Sequence, residues 1–397
     1  MVVAATRPRY CGVLLVAALW LTAALVCPDA RLAAQNVKRL PPPPPFAALF
    51  PLEEAWMITL PAPPAAPAAR DGSHVYVPLA SESLVALDWA SGDMIWSTNL
   101  KATSAPVTAN GVVYIGAGTS ILALDAASGD TRWTANTDAT QLLCLAGTRL
   151  IAVSSSTLRA FDAASGMAQW TQHLDDAGAP VGAQASGDAL VVSFAKGAVR
   201  RLSLDDGHVI WTRSVEPRPG PPLVARNTAY VGSADNRFYA LAIKDGKVRW
   251  TWRTGGAVTG AAADAKSVYY TGLDAVVRAV NPGNGNQKWK HDIGTRAVAP
   301  PVALDGSVLI AGLTPLLSGF APLTGQPQGT FDLPGDVHGV PLVSDTLVPR
   351  TVSVAVVLKD GRAYGLRSLP LMFNEGPPQL LLALPGKLLT RERPPAR

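Results

Sequence analysis

A twelve-residue block that recurs along the chain restricts this sequence to a repeat architecture. The first three copies are VALDWASGDMIW, LALDAASGDTRW and RAFDAASGMAQW, and weaker copies follow them. Successive copies end about 40 residues apart, a period that is typical of propellers and solenoids and argues against two unrelated globular domains. The copies end, in order, at Trp96, Trp133, Trp170, Trp211, Trp250, Trp289 and Gly329.

Each block predicts two strands joined by a tight turn. A glycine lies four residues before the end of every copy, and glycine adopts the positive φ that such a turn needs. The polar residue that opens the turn, as at Asp88, Asp125 and Asp162, is expected to bond the local backbone. Ser203 and Ala242 replace it in weaker copies, which favours capping over catalysis. The turn glycines are Gly92, Gly129, Gly166, Gly207, Gly246, Gly285 and Gly325.

Two further strand-like runs precede each block. Between residues 105 and 116 these runs flank Asn110-Gly111, which is a strong hairpin signal. The same pattern recurs at residues 221–232, 299–312 and 339–358. One unit therefore consists of four antiparallel strands, the composition of a propeller blade. Each Trp is predicted to pack in the seam between adjacent blades.

The two ends of the repeat region complement each other. The last unit shows strands near residues 341–343, 352–357 and 363–366 but has no Trp-bearing fourth strand. Residues 53–60 resemble a lone fourth strand, because Trp56 precedes Trp96 by one repeat length. We therefore predict an all-β fold: an eight-bladed β-propeller of four-stranded antiparallel blades, with its ring closed by an N-terminal strand. Seven blades are the alternative.

The N-terminus is predicted to be a signal peptide. Arg7 and Arg9 precede an uncharged run over residues 13–27, and cleavage is expected before Gln35. We expect export to the periplasm or cell envelope and no integral membrane domain in the mature chain. Cys27 leaves three alternatives open: a lipid anchor, ordinary cleavage and an uncleaved anchor. The predicted segments are the signal peptide (1–34), a Pro-rich linker (35–52), the propeller (53–375) and a C-terminal tail (376–397).

Charge and cysteine content exclude several classes of function. The net charge of +5 forms no basic stripe along the sequence, and Arg200-Arg201 is the only Arg pair, so nucleic acid is not expected as a partner. After signal removal Cys144 would be the only cysteine, which rules out an intramolecular disulfide and predicts a buried core thiol. The five histidines are scattered singly. We therefore predict no catalytic, cofactor-binding or metal-binding residues.

The blocks ALDWASGDMIW, ALDAASGDTRW and AFDAASGMAQW resemble the pyrroloquinoline-quinone-like repeat. Quinoprotein dehydrogenases share this repeat with BamB-type scaffolds of outer-membrane protein assembly. The resemblance covers residues 53–373 and implies the propeller fold, but one fold serves both functions. The enzyme branch implies two adjacent cysteines beside the quinone, an Asp base and calcium ligands. This sequence has no adjacent cysteines, and that constellation cannot be placed on its residues.

The scaffold branch agrees better with the size, the export signal and the number of repeats. It implies a non-catalytic, monomeric, protein-binding scaffold of the bacterial cell envelope that uses no cofactor and binds one or more envelope proteins. The alternative is a ligand-binding or quinone-dependent enzymatic propeller that uses the central funnel. The two hypotheses differ in where the functional surface lies: on loops and blade faces in the first, and at the centre of the ring in the second.

Overall fold

Strands make up the regular secondary structure of the described residues. The structure is a computed structural model that describes residues 49–155, 157–174, 177–344, 348 and 350–369. These residues form 32 strands and no α-helix, and they lie in the unit Pro44–Arg397. The predicted signal peptide, most of the predicted linker and the predicted C-terminal tail lie outside the described residues.

Seven blades are each built from one continuous stretch of four antiparallel strands. Blades 1 to 4 contain β2 (Ala69–Arg70), β3 (His74–Leu79), β4 (Ser83–Asp88), β5 (Met94–Asn99); β6 (Val107–Ala109), β7 (Val112–Ala117), β8 (Ser120–Asp125), β9 (Thr131–Asn136); β10 (Gln141–Ala146), β11 (Arg149–Val153), β12 (Thr157–Asp162), β13 (Ala168–His173); and β14 (Pro180–Ser186), β15 (Ala189–Phe194), β16 (Ala198–Ser203), β17 (Val209–Ser214). Blades 5 to 7 contain β18 (Leu223–Ala225), β19 (Thr228–Ser233), β20 (Arg237–Ala242), β21 (Val248–Arg253); β22 (Val258–Ala263), β23 (Val268–Gly272), β24 (Val276–Val280), β25 (Gln287–Asp292); and β26 (Val302–Leu304), β27 (Ser307–Ala311), β28 (Leu316–Phe320), β29 (Pro327–Asp332).

The eighth blade joins the two ends of the repeat region. Strands β30 (Leu342–Val343), β31 (Val352–Val357) and β32 (Arg362–Ser368) pair with the N-terminal strand β1 (Leu52–Thr59), in the order β1-β32-β31-β30. Trp56 lies opposite Gly365 in this antiparallel pairing. The prediction of eight blades closed by an N-terminal strand is therefore confirmed, and the seven-blade alternative is wrong.

Local turn chemistry explains why each repeat folds into a blade. The turn between β6 and β7 has positive φ at Asn110 (49°) and Gly111 (72°), the conformation that Asn-Gly favours between two strands. The turn between β8 and β9 closes with the Gly129 N–H donating to the Asp125 carbonyl at 2.9 Å, and Gly129 has φ of 77°. Both turns need residues that tolerate the left-handed region.

The hydrophobic core is divided among the seams between blades. The cluster between blades 3 and 4, for example, packs Ile151 and Leu158 from one sheet against Leu190 and Phe194 from the next. The first strands of neighbouring blades contact one another, which places them around the centre of the ring. Each blade is thus stabilised by its neighbours, as in other repeat proteins.

The antiparallel strand order gives the ring two distinct faces. One face carries the turns between first and second strands and between third and fourth strands, and we call it the turn face. The opposite face carries the turns between second and third strands and the connections from one blade to the next, and we call it the connector face.

Candidate functional site

The predicted Trp and Gly positions meet in the seams. The Trp133 indole lies against Gly166 of the following blade, where φ is +73° and a Cβ would come within 2.5 Å of the ring. Its Nε1–H donates to the Ala163 carbonyl at 3.1 Å. Only glycine fits this position, because any side chain would collide with the indole. The same arrangement joins Trp56 to Gly92, Trp96 to Gly129, Trp170 to Gly207, Trp211 to Gly246, Trp250 to Gly285 and Trp289 to Gly325.

The seam between blades 7 and 8 is closed by a residue that sequence reasoning missed. Gly329 stands where a Trp would belong, and the ring of Phe50 lies over Gly329 and the neighbouring Gly319. Leu49 and Phe50 are 0% and 2% exposed, and the Leu49 N–H donates to Ser307 Oγ at 3.1 Å. Both residues fall in the segment predicted as linker. The signal that could have revealed them was the missing Trp itself.

The turn carboxylates act locally, as expected. Asp125 Oδ1 accepts hydrogen bonds from the N–H groups of Ala127 and Ser128 at 2.9 and 3.1 Å. A hydrogen bond from Arg132, assisted by these backbone bonds, lowers the pKa of Asp125. Asn281 serves the same purpose without a charge, since its Oδ1 accepts from the Gly283 N–H at 2.8 Å. These groups cap turns and offer no shared reaction site.

The described residues hold no cluster of carboxylate, imidazole or thiol groups of the kind that could bind a metal ion beside a quinone. Among the described residues, no three His, Cys, Asp or Glu side chains lie close enough to hold a metal ion together. Cys144 is half-buried, and burial raises the pKa of its thiol to about 12. A thiol with such a pKa stays protonated at neutral pH and is a poor nucleophile. No reaction step can therefore be derived through a bound quinone.

A cleft of about 410 Å³ lies beside the first strands of blades 8, 1 and 2, at the mouth of the central funnel. Its polar groups bind one another: Arg70 donates to the Val343 carbonyl and stacks on Trp89, with 4.5 Å from Cζ to the ring centroid. Thr108 Oγ1 donates to the Arg70 carbonyl at 2.6 Å. Asp71 accepts from the Tyr76 hydroxyl at 2.6 Å. The cleft thus lacks the set of convergent polar groups typical of a ligand site.

The connector face of blades 6 to 8 carries exposed apolar side chains. Leu273 and Leu313 are 46% and 53% exposed, and Val298 and Val340 are 40% and 42% exposed. We call these four residues the apolar strip. Val298 and Leu313 lie close together, because the Val298 N–H donates to the Ala311 carbonyl at 3.1 Å. Adjacent exposed apolar side chains of this kind mark interaction surfaces more often than isolated ones.

The two leucines of the apolar strip are not required by the fold. Leu273 and Leu313 occupy the same position in neighbouring blades, where each N–H donates to a carbonyl of the preceding connection, at 2.8 and 2.7 Å. Ala80, Ala195 and Ala234 make the equivalent bond in other blades, at 2.9, 2.9 and 3.1 Å. Alanine therefore satisfies the backbone role of this position, and the bond itself does not require a larger side chain.

An ion pair holds the Leu273 loop in place. Arg278 donates to both oxygens of Asp274, at 3.2 and 2.6 Å, and the two side chains are only 10% and 13% exposed. Asp274 also accepts from the Gly255 N–H at 3.0 Å, which ties two loops together. Burial opposes ionisation of Asp274, but the hydrogen bonds and charge of Arg278 outweigh it and lower the pKa. The loop that exposes Leu273 is therefore rigid.

Comparison with known proteins identifies the family. A family model described as "Outer membrane protein assembly factor BamB" matches residues 53–158, 154–274 and 273–369. The chain belongs to this family. A BamB of Alkalilimnicola ehrlichii is 30% identical over 195 residues, covering 46% of this chain and 49% of the relative. A BamB of Legionella pneumophila is 27% identical over 170 residues, covering 40% of this chain and 44% of the relative. The chain spans about half the length of these curated relatives.

Solved structures show the same fold. BamB from Moraxella catarrhalis superposes with a TM-score of 0.64 at 17% identity, covering 80% of this chain and 97% of that chain. The C-terminal WD40 domain of Sif2 reaches a TM-score of 0.67 at 9% identity, covering 81% and 99%. Such distant similarity establishes the propeller alone. No helix in the described part of this BamB-family chain is long and apolar enough to span a membrane.

Proposed function

We propose that this BamB-family chain is a non-catalytic scaffold that binds a protein partner in the bacterial cell envelope and thereby assists outer membrane protein assembly. Family membership and the names of the relatives in Alkalilimnicola ehrlichii and Legionella pneumophila support a role in outer membrane protein assembly. The predicted signal peptide supports a location in the cell envelope. The proposed partner is another protein of the same assembly machinery.

The observation that carries this proposal is the apolar strip. Leu273 and Leu313 expose apolar surface at a position where alanine satisfies the fold in other blades. Charged residues also occur on the connector face, with Arg296 in the connection that Leu313 bonds and Lys359 at the equivalent position of blade 8. An apolar centre with a charged rim is the usual composition of a protein interface. The strip is thus the proposed docking surface.

Rigidity makes the apolar strip suitable for docking. The Asp274–Arg278 pair and the backbone bonds of Leu273 and Leu313 fix the loops before a partner arrives. A preformed surface loses little conformational entropy on binding, so more of the interaction free energy appears as affinity. The scaffold therefore contributes by presenting a fixed surface and needs no chemistry of its own.

The direct test is complementation of a strain that lacks this protein. We expect the double substitution Leu273→Asp with Leu313→Asp to lower folded outer membrane proteins to the level of the deletion strain. Met167→Asp is the matched control, because Met167 is 70% exposed on the turn face of blade 3. Full function of the double variant would overturn the proposed docking surface. Photo-crosslinking from position 298, beside Leu313, should capture a named assembly protein in the otherwise wild-type chain, and the same probe in the double variant should not.

The alternative function in the central funnel has its own test. Purified protein is mixed with pyrroloquinoline quinone and calcium, and bound-cofactor absorbance and dye reduction with alcohols and sugars are measured beside a known quinoprotein. We expect neither stoichiometric binding nor turnover, because no described residues converge as base and metal ligands. Turnover would overturn the scaffold proposal.

A further inference from the structure

The turn face of blades 5 and 6 carries a concentration of positive charge. Six cationic side chains there are all exposed, and we call them the basic patch: Arg226, Lys244, Lys247, Arg249, Lys266 and Lys288. The same turns hold two carboxylates, Asp245 and Asp264. The excess of positive charge therefore extends over two adjacent blades.

Hydrogen bonds connect the patch without neutralising it. Arg249 Nη2 donates to the Asn227 carbonyl at 3.3 Å, and Arg226 Nη2 donates to the Asp264 carbonyl at 2.8 Å. Lys288 Nζ donates to the Lys266 carbonyl at 2.7 Å. The Arg226 bond crosses from blade 5 into blade 6, and the other two bonds join neighbouring turns within one blade. Because their acceptors are carbonyl oxygens, these bonds leave the charge of each cation uncompensated.

The two carboxylates offset only part of this charge, because two negative charges stand against six positive ones. Asp264 accepts hydrogen bonds from the N–H groups of Lys266 and Ser267, at 2.6 and 2.7 Å, and from the Tyr269 hydroxyl at 2.6 Å. Its oxygens are thus occupied within its own turn. Asp245 lies 3.4 Å from Lys247 Nζ in an exposed pair, and exposed pairs are weak and easily screened.

The patch is not a general property of the repeat. The turns between third and fourth strands in blades 1, 2 and 4 are acidic, with Asp88 and Asp93, Asp125 and Asp130, and Asp205 and Asp206. Up to the residue before the Trp, the corresponding segments of blades 5 and 6 carry Lys244, Lys247, Arg249 and Lys288 against Asp245, whereas the acidic segments hold one cation, Arg132 of blade 2. The turn face consequently has an acidic side and a basic side.

Both ends of the described chain leave the folded body at the turn face. Strand β1 begins and β32 ends there, and the Leu369 N–H donates to the Pro51 carbonyl at 3.0 Å. The C-terminal sequence contains the run LLLAL over residues 380–384, followed by one lysine and three arginines against one glutamate. Strand β32, which precedes this C-terminal sequence, thus ends at the face that carries the basic patch.

We propose that the basic patch docks on an anionic phospholipid surface, with the turn face toward the membrane. Cations spread over exposed turns of two blades fit an extended anionic surface better than a small ligand, which needs a concave site. Lysine and arginine near an anionic leaflet are attracted to its surface potential within a Debye length. The connector face, with the apolar strip, then points away from the lipid and is open to a protein partner.

The test measures the preference of the full chain for anionic vesicles. Co-sedimentation is compared between vesicles of pure phosphatidylcholine and vesicles of equimolar phosphatidylcholine and phosphatidylglycerol. The patch variant carries Lys244→Gln, Lys247→Gln and Lys266→Gln. The matched control carries Lys101→Gln, Lys196→Gln and Lys359→Gln, which remove the same charge from the connector face. Binding by the chain ends that does not depend on the headgroup contributes equally to both vesicle types and therefore cancels in the ratio.

We expect the wild type and the control to prefer phosphatidylglycerol by the same ratio. The ratio for the patch variant should be at least about tenfold lower than for the wild type, since each lysine near such a surface raises the affinity roughly fivefold. Added salt should reduce the preference of the wild type. An unchanged ratio in the patch variant would overturn the proposal, as would a wild type with no preference. Patch-dependent binding to heparin or DNA without binding to vesicles would also overturn it.

Discussion

Seven seams of the ring and the eighth seam reach the same packing by different means. In seven seams the aromatic side chain comes from the fourth strand of one blade and covers the turn glycine of the next blade, as with Trp133 on Gly166. In the eighth seam blade 7 has Gly329 at the Trp position, and blade 8 has no turn between its third and fourth strands, β32 and β1. Phe50, just before β1, fills the vacant place.

This difference shows what a closed ring of repeats requires. Where one blade follows another along the chain, consecutive repeats contribute the Trp and the turn glycine that form the seam. Where the two ends of the repeat region meet, the repeats do not provide this pair. Ring closure combines Phe50 in this seam with the pairing of β1 and β32 inside blade 8, where Arg367 Nε donates to Glu53 Oε1 at 2.6 Å across 314 residues. Contacts of such high sequence separation form against a large loop-closure entropy. The eighth seam should therefore be the most sensitive to truncation.

Removing residues 49–59 should have the largest effect on stability. The deletion removes Phe50 and Trp56 together with the fourth strand of blade 8, so two seams lose their aromatic side chains. We expect the free energy of unfolding to fall by at least about 6 kcal/mol, from roughly 3 kcal/mol for each large buried aromatic. Chemical denaturation measures it, and deletion of residues 41–45 is the control. Equal midpoints for the two deletions would contradict closure by β1.

Single aromatic substitutions should have the next largest effect and compare the two kinds of seam directly. Trp211→Ala and Phe50→Ala each remove a buried ring, since Trp211 is 9% and Phe50 2% exposed. We expect each to lower the free energy of unfolding by about 3–5 kcal/mol. A loss below about 1 kcal/mol for Phe50→Ala alone, a value typical of surface positions, would mean that the eighth seam does not depend on its aromatic side chain.

A turn glycine under an indole should tolerate alanine less well than one in open space. Gly207 and Gly187 both lie in blade 4 with φ of +76° and +59°, but only at Gly207 does a Cβ meet a ring, 2.6 Å from Trp170. Gly187→Ala should cost about 1 kcal/mol for its backbone alone. Gly207→Ala should cost about 1–3 kcal/mol more, because the overpacked seam must open. Equal melting temperatures would show that the indole can move aside.

The sequence predicts what the repeat dictates locally. Period, turn glycines and the Trp positions place the blades, and residues 53–60 predict strand β1 to within one residue of Leu52–Thr59. Phe50 escaped prediction because a single aromatic residue beside a proline run has no periodic partner. Its role depends on the N-terminal segment meeting Gly329, and that contact exists only once the ring closes.

Neither the basic patch nor the apolar strip could be predicted from single residues of the sequence. The sequence shows no basic stripe, because the cations of the basic patch are divided between two repeats, as with Lys288, which follows Arg249 by one repeat length. Leu273 and Leu313 are likewise one repeat apart. Stacking of successive blades brings such positions together. Equivalent backbone hydrogen bonds show that these leucines occupy a position that is alanine in three other blades.

The smallest effect on stability should come from changing a carboxylate in the turn between third and fourth strands. Blade 8 folds without any such turn, so a single turn cap contributes little. Asp162 Oδ1 accepts from the Ser165 hydroxyl at 2.7 Å and from the Ser165 N–H at 2.9 Å, and these bonds, with the hydroxyl bond the largest contribution, lower the pKa of Asp162. A carboxyl with a lowered folded-state pKa stabilises the fold above its unfolded pKa and loses that contribution as pH falls through the folded value.

Asp162→Asn should therefore leave the melting temperature almost unchanged at neutral pH, because Asn281 already caps the equivalent turn of blade 6. At about pH 3, below the ordinary aspartate pKa, the wild type loses part of its stabilisation and the variant does not, so the difference between them should shrink or reverse. The reciprocal Asn281→Asp should make blade 6 more sensitive to acid. Thermal melts of the three proteins at both pH values measure this, and parallel pH profiles would show that the carboxylate has no cap-specific contribution.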